Sequence, residues 1–252
     1  HWNPGTHYII SRLLYQLVGE PVAIAADSRR LAVWVNRPGL SANYRRHRWS
    51  VARGFIQWLG VPFDVDAPKV PKAVARPLRE VDVRALLDVC DPRDEVIVSL
   101  GVCEGLRRAE MAGLELGDVD IDGRIVFVTG KGGHQRWTPL TDATAGRIDA
   151  YIEAERGSGP GPLIQSRRGG GALRPQSISE RARTLIAAAG LTAPGVTLHA
   201  LRHTAATRLW METADLFWTQ QLLGHSNIRT TAMYVKARPT AQMRDAMNAA
   251  AL

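Results

Sequence analysis

Three stretches near the start of the chain carry apolar residues at helical spacing. Residues 5–18 and 21–35 predict two helices, and a third is expected from Ser41, a favourable N-cap, to Gly60. The third stretch has two distinct faces. Its apolar face consists of Trp49, Ala52, Phe55, Ile56 and Leu59, and its cationic face consists of Arg45, Arg46, Arg48 and Arg53. We therefore expect one side of this helix to pack in a core and the other to meet a polyanion.

A proline-rich segment follows this helix, with prolines at positions 62, 68, 71 and 77. Proline lacks a backbone N–H and fixes φ, so neither a regular helix nor a central strand is expected here. We interpret the segment as a linker and place the domain boundary near residue 75, between domains of residues 1–75 and 76–252. An extended proline-rich tether would let two domains close around a ligand.

The second domain is predicted to combine helices with a small sheet. Two β-rich runs within residues 123–140 flank the sequence GKGG and predict a hairpin with its tip at residues 131–133. The chain is mostly helical again from about residue 176. The other segments with helical spacing are residues 79–90, 94–106 (ending near Gly105), 107–114 and 141–155. The expected fold is mainly α, with an all-helical first domain and an α+β second domain that holds a small antiparallel sheet.

Composition places the chain among globular proteins. Apolar residues make up 45% and charged residues 22% of its 252 residues, and no apolar run approaches the length of a membrane span. No secretion signal precedes the first helix, and the first residue, His1, suggests that the sequence starts within a longer protein. Cys90 and Cys103 lie in apolar surroundings without metal-ligand spacing, so we expect small core residues in a reducing cytoplasm.

Positive charge is concentrated in the first third of the chain. The net charge is +8, and residues 1–75 carry ten Lys or Arg against four Asp or Glu, whereas the remainder carries 22 against 20. A basic balance of this size and asymmetry is typical of proteins that bind nucleic acid. The arginines of the third helix are the predicted phosphate contacts.

Two later segments hold polar residues that a purely structural helix does not need. LHALRHTAATRLW (198–210) has His199 and Arg202 three positions apart, which places them on one helix face. In LLGHSNIRTTAMYVKA (222–237), His225 follows a glycine where a helix should end, and Tyr234 follows nine positions later. Each residue alone is weak evidence for a function, but the combination predicts a common site.

These two segments resemble the signature of the tyrosine recombinases, the phage integrase family. EGLRRAEMAGLELGDVD (104–120) resembles the first arginine segment of that family, with Arg107 after Gly-Leu and Glu110 three positions later. VTGKGGHQRWTPL resembles its β-hairpin, which carries a lysine at Lys131. The resemblance covers about residues 77–240. The first part of the chain is similar to the family's core-DNA-binding domain in architecture only.

The residue types suit phosphoryl transfer through a tyrosine. The Tyr234 hydroxyl can attack a phosphodiester, and the attack adds a second negative charge to the phosphoryl oxygens in the transition state. Guanidinium groups suit these oxygens because they offer paired donors that stay protonated. Arg107 and Arg202 are the predicted clamp, and His225 is expected to hydrogen-bond the phosphate.

Proton transfer requires groups that can release or accept a proton. Lys131 is the predicted donor to the leaving 5′ oxygen, since the chain uses only four lysines against 28 arginines and still has a lysine at the hairpin tip. Arginine could not replace it there, because a general acid must lose its proton. His199 is the candidate base for the tyrosine proton.

The resemblance implies further properties. Tyr234 would form a 3′-phosphotyrosyl link, with no cofactor, metal or ATP. The partners would be double-stranded DNA recombination sites and three further copies in a synaptic homotetramer, within the nucleoid of a bacterial cytoplasm. The chain ends in a short amphipathic segment that would dock on the next subunit as an exchange helix; its apolar positions are Met243, Ala246, Met247 and Ala250.

Several functions remain open at this point. A phage or mobile-element integrase is the main reading, and a Xer-like recombinase that resolves chromosome or plasmid dimers is the alternative. Accessory DNA-bending or directionality proteins are candidate partners in either case. A DNA-binding regulator without catalysis, or a type IB topoisomerase, would share parts of the site. The presence of all six expected residues argues against the regulator.

Overall fold

The computed structural model describes residues 28–58, 60, 62–70, 77–225, 227–232 and 247–249. The side chains of Ser28, Lys131 and Arg229 lie outside this description, as does all of Tyr234. The chain divides into two compact units, His1–Val74 and Ala75–Leu252. The division lies next to the boundary expected from the prolines, while the assignment of DNA binding to the first unit remains a prediction.

The described part of the first unit contains two helices, α1 (Ser28–Val35) and α2 (Ala42–Trp58). Ser41 caps α2 as predicted, because its hydroxyl accepts the N–H of Tyr44 at 3.2 Å. The small core joins both helices to the chain that follows and consists of Leu31, Val35, Ala52, Ile56 and Val65. The helix predicted over residues 5–18 lies outside the described residues, and the one predicted over 21–35 is described only from Ser28.

The second unit is built around a buried helix. It begins with α3 (Glu80–Leu87), α4 (Pro92–Val102) and the short α5 (Arg108–Ala112). Asp91 caps α4 by accepting the N–H of Asp94 at 3.0 Å, and Pro92 occupies the first helical position. Residues 96–102 are all buried, which places α4 at the centre of the unit. The helix ends at Val102, earlier than the predicted break at Gly105.

A three-stranded antiparallel sheet covers one side of this unit in the order β1 (Val119–Asp120), β2 (Ile125–Thr129) and β3 (Gln135–Pro139). The predicted hairpin is confirmed, and a 3₁₀ turn over Lys131–Gly133 forms its tip. Gly132 and Gly133 both have φ of +78°, a conformation that glycine adopts without strain. The two-residue strand β1 was not predicted, because it is too short to show alternation.

The rest of the unit is helical. Its elements are α6 (Asp142–Tyr151), a π-helical turn (Ile152–Arg156), α7 (Pro175–Ala188), α8 (Leu198–Thr213), α9 (Leu216–Leu223) and α10 (Ile228–Thr231). The prediction of a mainly α fold with a small antiparallel sheet is confirmed. Both cysteines are free and partly buried. Within the described ranges, no helix is both long and apolar enough to cross a membrane.

One close approach brings the distant parts of the site together. Gly105 has φ of +65°, and a Cβ built on it would lie 3.2 Å from Cδ2 of Leu223 and 3.4 Å from Cβ of Ala205. Only glycine avoids both the strained backbone and the crowding at this position. The turn before Arg107 therefore packs directly on α8 and on the end of α9.

Candidate active site

Arg107 lies at the start of α5, where a buried carboxylate holds it. Glu110 accepts the Arg107 backbone N–H at 2.8 Å and its Nη1 at 2.7 Å, which forms a capping box. Glu110 is buried, whereas the side chain of Arg107 is 37% exposed. One edge of this guanidinium is thus fixed, and the remainder can reach a ligand in solvent.

Arg202 reaches the same carboxylate from α8. Its side chain is buried, Nη1 and Nη2 donate to the carbonyls of Gly105 and Leu223, both at 2.5 Å, and Nη1 lies 3.8 Å from Oε2 of Glu110. The two arginines predicted to form the clamp are 95 positions apart in sequence, yet both converge on Glu110.

Glu110 remains ionised because cations surround it. Burial by itself raises its pKa, but hydrogen bonds from Arg136 and Arg107 outweigh burial, so the pKa lies below its ordinary value. A carboxylate that stays negative can hold both clamp arginines at neutral pH.

Three histidines lie beside the arginines. The rings of His199 and His203 meet edge to face with centroids 4.4 Å apart on α8. Nδ1 of His225 lies 2.9 Å from Oγ1 of the buried Thr231. His225 follows Gly224, which ends α9 in the left-handed conformation, as the sequence predicted.

Burial and neighbouring charges lower the pKa values of these histidines. Burial, and then the charges of Arg202 and Arg107, lower the pKa of His199. The pKa of His225 falls to about 4 for the same reasons. The pKa of His203 also falls to about 4, through burial and through His199 and Arg202. A neutral imidazole can accept a proton or donate a hydrogen bond, so each histidine can serve either purpose at neutral pH.

The backbone of the hairpin brings Lys131 toward this cluster. Gly130 directly precedes Lys131, and a Cβ built on it would lie 3.4 Å from Oε1 of Glu110. Tyr234 lies outside the described residues, three positions after Thr231. The described structure thus brings together Arg107, Arg202 and the histidines, with the backbone of the hairpin tip beside them.

A model of the phage integrase family matches residues 76–240. The chain belongs to this family. Its match includes every residue predicted to act in catalysis.

The chain matches two curated relatives over different shares of their length. The tyrosine recombinase XerC of Myxococcus xanthus is 37% identical over 187 residues, which are 68% of this chain and 61% of that protein. The XerC of Xylella fastidiosa strain 9a5c is 32% identical over 235 residues, 87% of this chain and 79% of that protein. The chain therefore spans about three fifths of the M. xanthus protein.

A solved structure supports the same fold. The Tn1549 transposon integrase, in complex with circular intermediate DNA, has a TM-score of 0.80 and 20% sequence identity, covering 100% of this chain and 95% of that chain. At this identity the likeness concerns the fold.

The cationic face of α2 needs one correction. Arg46 and Arg53 are exposed and Arg45 is half-buried, but Arg48 is only 4% exposed and stacks on Trp34, 3.8 Å from the ring centroid. The buried positions of α2 are 48, 51, 52 and 56, so its core face is broader than the apolar residues indicated. Arg48 is thus part of the core and not an exposed phosphate contact.

Two residues of the site were not given a role from the sequence. Glu110 was recognised within the arginine segment only as part of the family resemblance, and Arg136 was not singled out. Arg136 donates to both carboxylate oxygens of Glu110, at 3.0 and 3.2 Å. Strand alternation could have found Arg136, because it shares a face of β3 with the buried Thr138.

No group of three or more His, Cys, Asp or Glu within the described ranges is placed to hold a metal ion. Catalysis without a metal remains a prediction, and the positive charge of the site comes from its arginines.

Proposed function

We propose that this protein is a site-specific DNA recombinase that breaks and rejoins DNA strands through a 3′-phosphotyrosyl intermediate. The observation that carries the proposal is the convergence of Arg107 and Arg202 on the buried, ionised carboxylate of Glu110. This arrangement presents fixed positive charge, which stabilises the charge that develops on the phosphoryl oxygens, beside histidines that can exchange protons.

The proposed reaction forms one bond to phosphorus and breaks another. The Tyr234 oxygen attacks the scissile phosphate, the bond from phosphorus to O5′ breaks, and the electron pair remains on O5′. Arg107 and Arg202 stabilise the charge that develops on the non-bridging oxygens. Loss of a comparable donor lowers the rate by roughly 10²- to 10³-fold. The phosphotyrosyl link preserves the energy of the broken bond, so that the 5′ hydroxyl of a partner duplex can reverse the step.

Protons move at both ends of this reaction. Lys131 gives its ammonium proton to the leaving O5′, and His199 accepts the proton of Tyr234. Burial and the charges of Arg202 and Arg107 lower the pKa of His199 and so favour its neutral ring, the form that can accept a proton. His225, whose Nδ1 meets the Thr231 hydroxyl, can donate from Nε2 to a phosphate oxygen.

Double-stranded DNA sites are the proposed substrate, at the nucleoid of a bacterial cytoplasm. Arg46 and Arg53, both exposed on α2, and the half-buried Arg45 are proposed to contact phosphates in the helical core-DNA-binding domain, residues 1–75. The catalytic domain, residues 76–252, would carry out the chemistry. Sequence readout would come from base-edge contacts and duplex deformability.

The biological role that we propose is the integration of a phage or other mobile element. Dimer resolution is the second candidate, favoured by identities of 37% and 32% to relatives named XerC. The two roles differ in the DNA that is recombined. An integrase joins an element end to a target, whereas a resolvase acts on two copies of one chromosomal or plasmid site.

A homotetramer is proposed for synapsis, with the C-terminal segment as the exchange helix. An apolar groove in the second unit supports this proposal; its volume is about 1010 Å³, and its lining includes Trp137, Met211, Trp218 and Leu222. Trp137 and Trp218 are 68% and 56% exposed. Met247, which is 71% exposed, is the described member of the apolar face that would enter the groove of a second copy.

Covalent trapping tests the proposed function. The protein is expressed in a cell that contains its native DNA, denatured rapidly and purified, and the attached DNA is sequenced. Adducts at one locus that disappear with Tyr234→Phe are expected, while Tyr44→Phe, a matched change at an exposed tyrosine, retains them. The locus distinguishes an element end from a chromosomal dimer site. Scattered adducts would instead support a topoisomerase, and binding without adducts would refute the catalytic roles.

A further inference from the structure

Arg136 lies on the hairpin five positions after Lys131 and faces Glu110, the carboxylate that also holds Arg107 and Arg202. It is opposite Val128 in the β2–β3 register, and its side chain is 16% exposed. Both terminal nitrogens donate to Glu110, Nη1 to Oε1 at 3.0 Å and Nη2 to Oε2 at 3.2 Å. Such a bidentate pair fixes orientation as well as distance, so it attaches β3 firmly to α5.

The same guanidinium packs against the turn before His225. Gly224 has φ of +55°, and a Cβ built there would lie 2.9 Å from Nη1 and 3.1 Å from Cζ of Arg136. The arginine thus occupies the space that a side chain at position 224 would need. Arg136 therefore joins the hairpin both to α5 and to the turn that carries His225.

The tip of the hairpin closes on this contact. A Cβ built on Gly130 would lie 3.4 Å from Oε1 of Glu110 and 3.8 Å from Nη1 of Arg136. The Gly130 N–H donates to the carbonyl of His134 at 2.7 Å, which ties the two sides of the tip together. The residue directly before Lys131 therefore packs against the pair of Arg136 and Glu110.

We propose that Arg136 is a positioning residue, which holds the hairpin so that Lys131 delivers its proton to the leaving 5′ oxygen. The inference rests on the proposed recombinase function. Without Arg136 the hairpin tip would lose its attachment to Glu110, and the ammonium would no longer meet O5′. A misplacement of about 1 Å in an active site can lower a rate by roughly a hundredfold.

A direct phosphate contact is the competing role for Arg136. Its two terminal nitrogens are already bound to Glu110, and its side chain is 16% exposed against 37% for Arg107. These contacts favour positioning over phosphate binding. The two roles predict different cleavage rates when the leaving group is changed. A residue that positions the acid matters only for a leaving group that needs a proton, whereas a phosphate contact matters for both.

The test compares two leaving groups on the duplex recovered by covalent trapping. One substrate has the natural O5′ at the scissile phosphate, and the other has sulfur in its place, which departs as a thiolate without needing a proton. The variants are Arg136→Met, Arg136→Lys and, as a reference for the loss of the acid, Lys131→Ala. The matched control is Arg124→Met, which removes an arginine in the turn directly before β2 that is paired with Asp142 at 2.8 Å.

Arg136→Met is expected to cleave the oxygen substrate about a hundredfold more slowly than the wild type does. On the sulfur substrate its rate should lie within about threefold of the wild-type rate. Lys131→Ala should show the same pattern on the two substrates. Arg136→Lys, which keeps the charge but loses the paired geometry, should fall between, and Arg124→Met should match the wild type. Equal slowing on both substrates would assign Arg136 to phosphate binding or to folding, and no slowing would leave it without a role. Either result overturns the proposal.

A measurement without DNA separates this proposal from the proposed function. The chain has four lysines, so reductive ¹³C-methylation gives few NMR signals, and Lys131→Arg assigns the signal of interest. The Lys131 signal should change its chemical shift and titration midpoint in Arg136→Met but not in Arg124→Met. An unchanged signal overturns the positioning role even if DNA is cleaved. If the wild type forms no Tyr234 adduct, the proposed function fails, while the NMR comparison still decides whether Arg136 holds the hairpin.

Discussion

Glu104 offers a test of how burial controls ionisation next to the site. Its side chain is buried, directly before Gly105, and its hydrogen-bond donors are neutral. Oε1 accepts the N–H and the hydroxyl of Thr141, both at 3.0 Å, and Oε2 accepts the hydroxyl of Thr144 at 3.1 Å. Burial raises the pKa of Glu104 to about 7, against the opposing effect of these hydrogen bonds.

The sign and size of the pH dependence follow from this pKa. Between its ordinary value of 4.5 and about 7, the folded protein binds a proton that the unfolded chain has lost. The stabilisation is therefore complete below about pH 4.5 and is lost as the pH rises through about 7. The difference between the two pKa values corresponds to about 3 kcal/mol, of which about 2.5 kcal/mol is lost between pH 5 and pH 8.

Glu104→Gln removes the titration but keeps an acceptor for Thr141 and supplies a donor for the Thr144 hydroxyl. Urea unfolding of wild type and variant at several pH values gives the difference in their unfolding free energies. The unfolding free energy of the wild type minus that of the variant should fall by about 2.5 kcal/mol from pH 5 to pH 8, because only the wild type loses the contribution of Glu104. Subtracting the variant removes the opposite contribution of His203 and His225, whose pKa values, lowered from 6.5 to about 4, make stability rise with pH up to about pH 6.5.

Glu155→Gln is the control. The Arg167 hydrogen bond lowers the pKa of Glu155, so its stabilisation is lost only as the pH falls below about 4.5, and the difference should be flat from pH 6 to pH 8. A flat difference for Glu104→Gln over pH 5 to 8 would refute the reasoning, because the carboxyl would then titrate as if it were solvated.

Further substitutions test individual features of the second unit. Arg156→Met, which removes hydrogen bonds to four carbonyls within residues 157–162, should lower the urea unfolding free energy by about 3 kcal/mol, whereas Arg156→Lys should lose less; equal values would contradict the account. Ala214 has φ of +54°, so Ala214→Gly should raise and Ala214→Val lower the melting temperature by about 2–4 °C, and the reverse order would exclude strain there. Gly224→Ala should lower the unfolding free energy by about 2 kcal/mol in the wild type but by less in an Arg136→Met background, because the guanidinium that crowds position 224 is then absent. Additive effects of the two substitutions in a double-mutant cycle would refute the contact.

Long amphipathic segments and turn residues made most of the second unit predictable. The helix expected over residues 94–106, the hairpin around GKGG and the helix that carries His199 and Arg202 were all found, since their local patterns agree with the packing around them. The boundaries were less certain. α4 ends at Val102 because the chain must turn early to bring Gly105 against α8 and α9, a tertiary requirement that no local pattern contains.

The inner face of β3 carries an arginine for a physical reason. Trp137 is 68% exposed, while its neighbours Arg136 and Thr138 face inward. An arginine can occupy the inner face only because Glu110 neutralises it there. Arg48 likewise lies within the first core through its stack on Trp34. In both cases the partner is distant in sequence, so composition and periodicity could not identify it.

The candidate site was predictable in its parts but not in its connections. The family resemblance identified Arg107, Arg202, His199 and His225, and the structure brings these residues together. The carboxylate that holds the two arginines is Glu110, whose partners Arg136 and Arg202 lie 26 and 92 positions away in sequence. Sequence spacing can identify a residue that suits phosphate chemistry, whereas the charges that fix it in place emerge only from the fold.

The two buried glutamates on either side of Gly105 illustrate this difference. Glu104 meets hydroxyl and amide donors, and its pKa rises; Glu110 meets arginines, and its pKa falls. Arg107, Arg136 and Arg202 bring three positive charges to the single negative charge of Glu110, while the lowered pKa values of His199, His203 and His225 leave these rings neutral. Among the described residues of the site, two positive charges therefore remain in excess. The Lys131 ammonium proposed for the site adds to this excess. The phosphoryl oxygens carry two negative charges once tyrosine has attacked, so positive charge stabilises the transition state more than the singly charged diester from which it forms.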